Sequence, residues 1–197
     1  MQLPTPMNAN AARTPRASAV EARYLILPQH ANDLGIAFGG VIMAWIDLAA
    51  AMVAQRHCAR RVVTVSIDRM SFLAPCHIGD HVLLRAAANY VGHTSMEVGV
   101  QVLKENPYTG QQVRATTAYL TFVALDDTER PVPIPPLTPE TPDEIRRHEN
   151  ARMRVAARKE LVARLHLASR QDGQVPAPPR SPASEPPAPS LPSPSGE

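Results

Sequence analysis

Residues 41–57, with the sequence VIMAWIDLAAAMVAQRH, constrain the fold of this chain more strongly than any other segment. Their alanines, methionines and leucine favour a helix of roughly sixteen residues, about 24 Å long. The segment is apolar on nearly all sides until Gln55. We therefore expect the helix to be buried on most sides instead of lying on the protein surface.

The segments on either side of this helix have the composition and period of β-strands. Residues 22–27, ARYLIL, form one short strand ended by Pro28. After the helix, β-branched residues and a period of two predict four further strands. They are VVTVSIDRMSFL (62–73), HVLLRAAANYV (81–91), TSMEVGVQVLKE (94–105) and QVRATTAYLTFVAL (112–125). The connectors APCHIGD, VGHT and ENPYTG are too short for parallel crossovers, so we expect antiparallel hairpins.

The segment 94–105 indicates how the sheet is covered. Met96, Val98, Val100 and Val102 share one face, whereas Glu97, Gly99 and Gln101 share the other. Such alternation is typical of an antiparallel sheet covered on one side. A long sheet curled around the central helix buries that helix better than a two-layer arrangement does, so the predicted fold class is α+β.

Composition sets the limits of the folded part. The 197 residues carry a formal net charge of +2 and are 44% hydrophobic, which fits one globular domain with appendages. The predicted parts are a disordered leader (1–19), the domain (20–130), a proline-rich connector with a basic helix (131–170), and a disordered proline-rich tail (171–197). A capping box at Thr141, Pro142 and Glu144 marks the start of the basic helix.

Several classes of protein are disfavoured. The sequence has no apolar run long enough for a membrane span and no secretory signal, so we expect a cytoplasmic protein without membrane insertion. The leader shares its arginines and lack of acids with organellar transit peptides, but its prolines favour plain disorder. Cys58 and Cys76 predict two reduced thiols, and the histidines show no metal-ligand pattern, so no metal is expected. The slight, dispersed positive charge gives no reason to expect nucleic-acid binding.

Asp47 is the acidic residue in the middle of the apolar helix. Burying a lone carboxylate is costly unless it is paired or its ionisation shifts. Asp47 therefore has two possible roles. It is a structural acid that is hydrogen-bonded to a strand or to a second subunit, or it is a general base or nucleophile in desolvated surroundings. The residue by itself favours neither interpretation.

Gly39 and Gly40 lie where the helix begins, and there the first backbone N–H groups have no partner within the helix. Glycine lets a ligand approach the backbone closely, so this helix start can hold an oxyanion. The simpler alternative is that the two glycines are present only because the chain makes a tight turn here. Asp47 is roughly 10 Å from Gly40 along the axis, too far for both to act easily on one carbonyl. Two antiparallel helices across a two-fold axis would bring them together in composite sites.

The helix and its flanks also match a family motif, HxNxxGxxFGGxxMxWID. The residues that carry it are His30, Asn32, Gly35, Phe38, Gly39, Gly40, Met43, Trp45, Ile46 and Asp47. They resemble the hotdog-fold acyl-CoA thioesterases of the cytosolic acyl-CoA hydrolase type, and the resemblance continues through VVTVSIDRMSFLAPCHIGDHVLLRA, GHTSMEVGVQV and YLTFVALDD. It covers residues 20–130 and implies the curled sheet around a helix, a homodimer, and commonly a hexamer built as a trimer of dimers.

The resemblance also implies a reaction and roles. The substrate would be acyl-CoA, hydrolysed to the free acid and coenzyme A; coenzyme A is part of the substrate, and no cofactor is implied. Asp47 would activate water or attack the thioester carbonyl, and Asn32, supplied by a different protomer, would orient the water or polarise the carbonyl. The amides near Gly39 and Gly40 would hold the oxyanion.

Coenzyme A carries phosphates, so hydroxyl-bearing or basic groups are expected near the site. Thr94 and Ser95, in a turn that resembles the family's thioester-proximal turn, are the main candidates. Arg69 and Arg114 are further candidates, although strand arginines are commonly solvated.

Two other functions are considered. A hotdog hydratase would need a histidine beside the central helix in partnership with an acid, but His57 lies ten residues past Asp47 at the helix end, which disfavours it. A non-catalytic acyl-CoA-binding hotdog module that recruits a partner through its tail is the alternative from another class. The sequence has no GxSxG or GK[ST] motif to support serine or nucleotide hydrolysis.

Overall fold

The computed structural model describes residues 11–171, with side chains over residues 11–165. Its strands are β1 (Val20–Leu25), β2 (Arg61–Ile67), β3 (His81–Val91), β4 (Ser95–Glu105) and β5 (Gln112–Leu125). Its helices are α1 (Pro15–Ser18), α2 (Gly39–Cys58) and α3 (Pro142–Gln171), and a 3-10 turn spans Pro28–His30. The strands pair antiparallel in the order β1-β3-β4-β5-β2. The predicted α+β class is confirmed.

The core lies between α2 and the inner face of the sheet. From the helix it receives Ile42, Ile46, Ala49 and Val53, none more than 2% exposed. From β4 it receives Met96, Val98, Val100 and Val102, none more than 1% exposed. The alternation predicted for β4 is therefore correct, and the central helix packs against a curled sheet as expected.

The strand after α2 is shorter than predicted, and this changes the topology. β2 ends at Ile67, although the N–H groups of Asp68 and Leu73 still donate to carbonyls of β5. The connector to β3 is thus residues 68–80, and it joins strands that do not pair with each other. The hairpin predicted at APCHIGD is wrong, because the longer connector lets β2 pair with β5 at the far edge of the sheet.

One face of α2 is exposed in the protomer, contrary to the prediction of a helix buried on most sides. Met43, Leu48 and Met52 are 42%, 57% and 40% exposed, and we call these three residues the open face. A single sheet covers only one side of a helix, and this sheet ends at β2. Val63 and Val65 of that edge strand are also exposed.

Residues 11–19 are ordered, contrary to the disorder predicted for the whole leader. They include α1, whose Ser18 is buried. Arg13 donates hydrogen bonds to the carbonyls of Arg56 (2.7 Å) and His57 (2.5 Å), and these bonds satisfy acceptors at the end of α2 that have no partner within the helix. Residues 1–10 of the predicted leader lie outside the described residues.

α3 begins with the predicted capping box. The Glu144 N–H donates to Thr141 Oγ1 (3.2 Å), and Glu144 Oε2 accepts the Thr141 N–H (3.0 Å). Of the described residues, 11–155 belong to one compact unit and 156–171 to a second. The predicted tail lies outside the described residues except for Gln171, which ends α3. Between residues 11 and 171, no helix is both long and apolar enough to cross a membrane.

Candidate active site

Asp47 lies on α2 and is half-buried, so the full burial predicted for it is not found in the protomer. Its Oδ1 accepts a hydrogen bond from Thr64 Oγ1 on β2 at 2.8 Å. A register shift in the β2–β5 pairing falls between Thr64 and Ser66, directly after the threonine. Bulges of this kind re-aim side chains and are common beside active sites. The carboxylate is thus oriented by a strand hydroxyl and still reaches solvent.

Asn32 lies in the loop between the 3-10 turn and α2. Its Oδ1 accepts N–H groups from Leu34 and Ile36, both at 3.1 Å, and its own N–H donates to the Ile36 carbonyl at 2.9 Å. The amide therefore fixes the conformation of this loop. Within the described residues of one protomer, Asn32 and Asp47 form no hydrogen bond with each other.

The start of α2 has the properties expected of a site for an anion. α2 begins at Gly39 with no side-chain cap from Phe38, and in the described chain the N–H groups of Gly39 and Gly40 have no acceptor. A Cβ at Gly39 would lie 3.1 Å from the Phe72 ring, so this glycine is needed for packing. A Cβ at Gly40 would meet nothing within 4 Å. Packing within the protomer therefore does not explain Gly40.

An apolar cavity of about 320 Å³ adjoins this helix start. It is lined by Ile36, Ala37, Gly39, Ile42 and residues 72–76 of the β2–β3 connector. The Ala37 N–H donates to the Cys76 carbonyl at 2.8 Å, which joins the connector to the loop before α2. Burial raises the pKa of the Cys76 thiol, and the Asp80 charge acts in the same direction. Cys76 is therefore a protonated apolar lining group and not a nucleophile.

None of the four predicted coenzyme A residues lines the cavity at the start of α2 in the protomer. Thr94 and Ser95 are half-buried in the β3–β4 turn, where the Thr94 and Ser95 carbonyls accept the N–H groups of Ala124 and Gly92. Arg69 is exposed in the β2–β3 connector. Arg114 is exposed on β5 and lines a different cleft.

Sequence reasoning did not identify Thr64 or the cavity of residues 72–76. In the sequence, Thr64 is one of several β-branched residues in a predicted strand. No pattern among its sequence neighbours identifies it as the partner of Asp47. Phe72 and Cys76 fall in a segment predicted as a strand and a hairpin connector. Among the described residues, no group of three or more histidine, cysteine or acidic side chains could hold a metal ion.

Comparison with known proteins assigns the family. The model of the thioesterase superfamily matches residues 34–111. An uncharacterised acyl-CoA thioester hydrolase of Bacillus subtilis, YkhA, is 42% identical over 144 residues, which are 73% of this chain and 84% of that protein. The acyl-CoA hydrolase of Staphylococcus aureus, solved with butyryl coenzyme A, coenzyme A and coenzyme A disulfide, superposes with a TM-score of 0.77. It is 34% identical, and the match covers 83% of this chain and 99% of that one.

A hexameric acyl-CoA thioesterase solved without ligand is 37% identical, with a TM-score of 0.75 and coverage of 78% of this chain and 98% of that one. The chain belongs to the acyl-CoA thioester hydrolases of the hotdog-fold thioesterase superfamily. The resemblance found in the motif is thereby confirmed.

Variants of the Staphylococcus aureus hydrolase were solved with an asparagine, an aspartate or a threonine replaced by alanine. In that enzyme the aspartate follows the asparagine by 15 positions and the threonine follows the aspartate by 17. The same separations hold here between Asn32, Asp47 and Thr64 (47 minus 32, and 64 minus 47). The three residue types and their separations are thus the same in the two chains, and in this one Thr64 donates to Asp47.

Proposed function

We propose that this protein hydrolyses acyl-CoA to a free carboxylic acid and coenzyme A, at a site shared between two protomers. The observation that carries the proposal is the position of Asp47. Its carboxylate lies beside the open face of α2, is oriented by Thr64 at 2.8 Å, and is only half-buried. Within the protomer this carboxylate is not enclosed, so it can face a substrate bound between two protomers.

Asp47 has the chemistry that thioester hydrolysis requires. As a general base it removes a proton from water that attacks the thioester carbonyl carbon; as a nucleophile it attacks that carbon itself. The carbonyl oxygen gains negative charge, which the N–H groups of Gly39 and Gly40 are suited to receive. The C–S bond then breaks, and in the base route the sulfur leaves as the thiol of coenzyme A with the proton that Asp47 took from water. In the nucleophile route an acyl-aspartyl anhydride forms, and water hydrolyses it to the free acid and supplies the thiol proton. Only water is consumed, so the reaction calls for no cofactor.

Two protomers are needed because of the length of α2. Asp47 is roughly 10 Å from the helix start of its own chain, so the amides that act with it come from a partner. The open face and the free edge of β2 supply an apolar surface on which a second copy packs. We propose a homodimer, assembled into a hexamer as a trimer of dimers; a hexameric neighbour of similar fold supports the higher assembly. Asn32 of one protomer then orients water or the carbonyl beside Asp47 of the other.

The apolar cavity of residues 36–42 and 72–76 is proposed to receive the acyl chain, because it adjoins the amides that hold the carbonyl oxygen. Thr94 and Ser95 remain the proposed contacts to the coenzyme A portion, with Arg69 in a supporting role. Cys58 and Cys76 are both free and buried, which supports a reducing, cytoplasmic location.

The test is thiol release from a panel of short, medium and long acyl-CoAs by wild type and by Asp47→Ala, at matched concentrations of folded protein. We expect wild type to be active and the variant to lose about a hundredfold or more in kcat while keeping its oligomeric state. Asp127→Ala removes an exposed carboxylate elsewhere and serves as the matched control. Wild-type binding of acyl-CoA without hydrolysis would reject the proposal and favour the binding module instead.

A further inference from the structure

A second cleft, of about 650 Å³, lies on the outer face of the sheet, away from α2. Arg85 and Tyr119 line its floor, whereas their sequence neighbours Leu84 and Leu120 belong to the core on the other face. Residues 146–154 of α3 form its opposite wall. The volume is in the range typical of sites for small organic ligands.

Arginine dominates the lining of this cleft. The five arginines are Arg85, Arg114, Arg146, Arg147 and Arg154. Three of them have carboxylate partners: Arg85 donates to Glu21 at 3.0 Å, Arg146 to Asp143 at 3.0 Å, and Arg154 to Glu97 at 2.6 Å.

Arg114 and Arg147 form no hydrogen bond or ion pair within the described part of the chain. Arg147 interacts with the charge of Glu144 at longer range, but Oε2 of Glu144 already accepts the N–H groups of Glu140 and Thr141. The cleft therefore has positive charge that its own acids do not neutralise.

The walls of the cleft are held together before any ligand arrives. His148 Nδ1 donates to the carbonyl of the buried Asn89 at 3.0 Å and joins α3 to β3. The Arg154 guanidinium lies 3.6 Å from the Tyr119 ring centroid, a cation–π contact to β5. A Cβ at Gly99 would lie 2.3 Å from Asn89 Nδ2, so the absence of a side chain there lets Asn89 reach the floor. Such preorganisation lowers the ordering cost of binding.

We propose that this cleft binds an organic polyphosphate of nucleotide size. Guanidinium groups bind phosphate oxygens bidentately, and here they project from β3, β5 and α3 around one space. Cations on three elements suit an anion with several phosphates better than a single small ion. The diphosphate comes either from a free nucleotide or from the nucleotide end of coenzyme A. Binding of a free nucleotide here is separate from hydrolysis at Asp47, since the cleft and α2 lie on opposite faces of the sheet. The coenzyme A case rests on the proposed function.

The test measures binding of inorganic pyrophosphate and of ADP to the full-length protein by isothermal titration calorimetry at low salt. Arg114→Gln/Arg147→Gln removes the two arginines without ion pairs and leaves the three ion pairs intact. We expect saturable binding by wild type and a loss of affinity of about tenfold or more in this double variant, because each arginine supplies charge-assisted hydrogen bonds. Binding by wild type should weaken as salt is raised.

A control double variant, Arg130→Gln/Arg152→Gln, removes the same charge from positions outside the cleft and should bind as wild type does. Unchanged melting temperatures would show that both double variants are folded. Absence of saturable wild-type binding overturns the proposal, and so does an equal loss of affinity in the two double variants.

A third titration, with coenzyme A, distinguishes the two sources of the diphosphate. If the cleft holds the nucleotide end of coenzyme A, the Arg114→Gln/Arg147→Gln variant binds coenzyme A about tenfold more weakly than wild type. If the ligand is a free nucleotide, this variant loses affinity for ADP but binds coenzyme A as tightly as wild type does. Both results support the cleft as a polyphosphate site, and neither depends on whether the enzyme turns over acyl-CoA.

Discussion

At the scale of the residue, the site depends on how one carboxylate is held. Asp47 interrupts an otherwise apolar helix, and a solvated carboxylate there has several rotamers available. The Thr64 hydroxyl selects among them by donating to Oδ1 and leaves the other oxygen for a proton or a carbonyl carbon. A hydrogen bond to a charged group contributes about 1.5–3 kcal/mol, which is enough to decide the orientation.

Thr64→Val keeps the shape of the side chain and removes the hydroxyl. We expect kcat for acyl-CoA hydrolysis to fall about 10- to 100-fold with KM little changed, because orientation of the base is lost while the binding surface remains. Thr64→Ser should restore most of the rate. The measurement is steady-state thiol release.

Thr121→Val on the neighbouring strand β5 is the matched control. Among the described residues the buried Thr121 Oγ1 has no hydrogen-bond partner, so its removal should leave the rate unchanged and stability equal or higher. Equal rates for Thr64→Val and wild type would show that the hydroxyl does not orient Asp47.

At the scale of the element, the end of α2 is joined to two distant segments. His57 is fully buried, and its Nε2–H donates to the Pro135 carbonyl at 3.0 Å, while its own carbonyl accepts from Arg13. Burial lowers the pKa of His57; the bond to Pro135 opposes this shift and the Arg13 charge reinforces it. Its Nδ1 is buried with no partner in the described structure. The folded protein therefore favours the neutral form of the His57 imidazole.

This environment predicts a loss of stability in mild acid. The unfolded chain binds the His57 proton near pH 6.5, and the folded chain binds it only at lower pH. The free energy of unfolding should therefore decrease as pH falls below about 6.5 and continue to decrease until the lower, folded pKa is passed. Denaturant unfolding at a series of pH values, for wild type and His57→Gln, measures this effect. Gln keeps an amide donor for Pro135 but does not titrate, so the same slope in both proteins would contradict the prediction.

At the scale of the whole molecule, the described protomer leaves apolar side chains of α2 and β2 uncovered. Its central helix exposes the open face, and its sheet ends in an edge strand with apolar side chains. Exposed apolar patches and free strand edges are features that soluble monomers avoid. Together with the distance between Asp47 and the helix start, they support the proposal that the active site and the assembly depend on the same surface.

Leu48→Glu tests this connection. Leu48 is 57% exposed in the protomer, so the charge should be tolerated by the folded chain but not by a second copy packed on the open face. We expect light scattering after size exclusion to show dissociation, and thiol release to fall to background. Tyr108→Glu, at a residue 94% exposed in the β4–β5 turn, should keep both the assembly and the activity. An unchanged mass for Leu48→Glu would reject the open face as the interface.

The amino-acid sequence by itself determined the parts of this protein that depend on near neighbours in the chain. The presence of α2, the alternation in β4, the capping box of α3, the glycines at the start of α2 and the acid within it are all local patterns. The helix itself has 20 residues and is longer than the roughly sixteen predicted. The glycines and the acid fall within the motif of residues 30–47, which was specific enough to indicate the family and to suggest Asn32 and Asp47 as site residues.

Features that depend on contacts between distant segments became visible only in the folded chain. β2 pairs with β5 and not with β3 because strand pairing is set by packing across the whole sheet, and this places Thr64 beside Asp47. The cavity forms because the long β2–β3 connector returns to the start of α2, and the arginine cleft forms because α3 packs on the outer face of the sheet. Such contacts join residues far apart in sequence, where no local period or propensity can specify them.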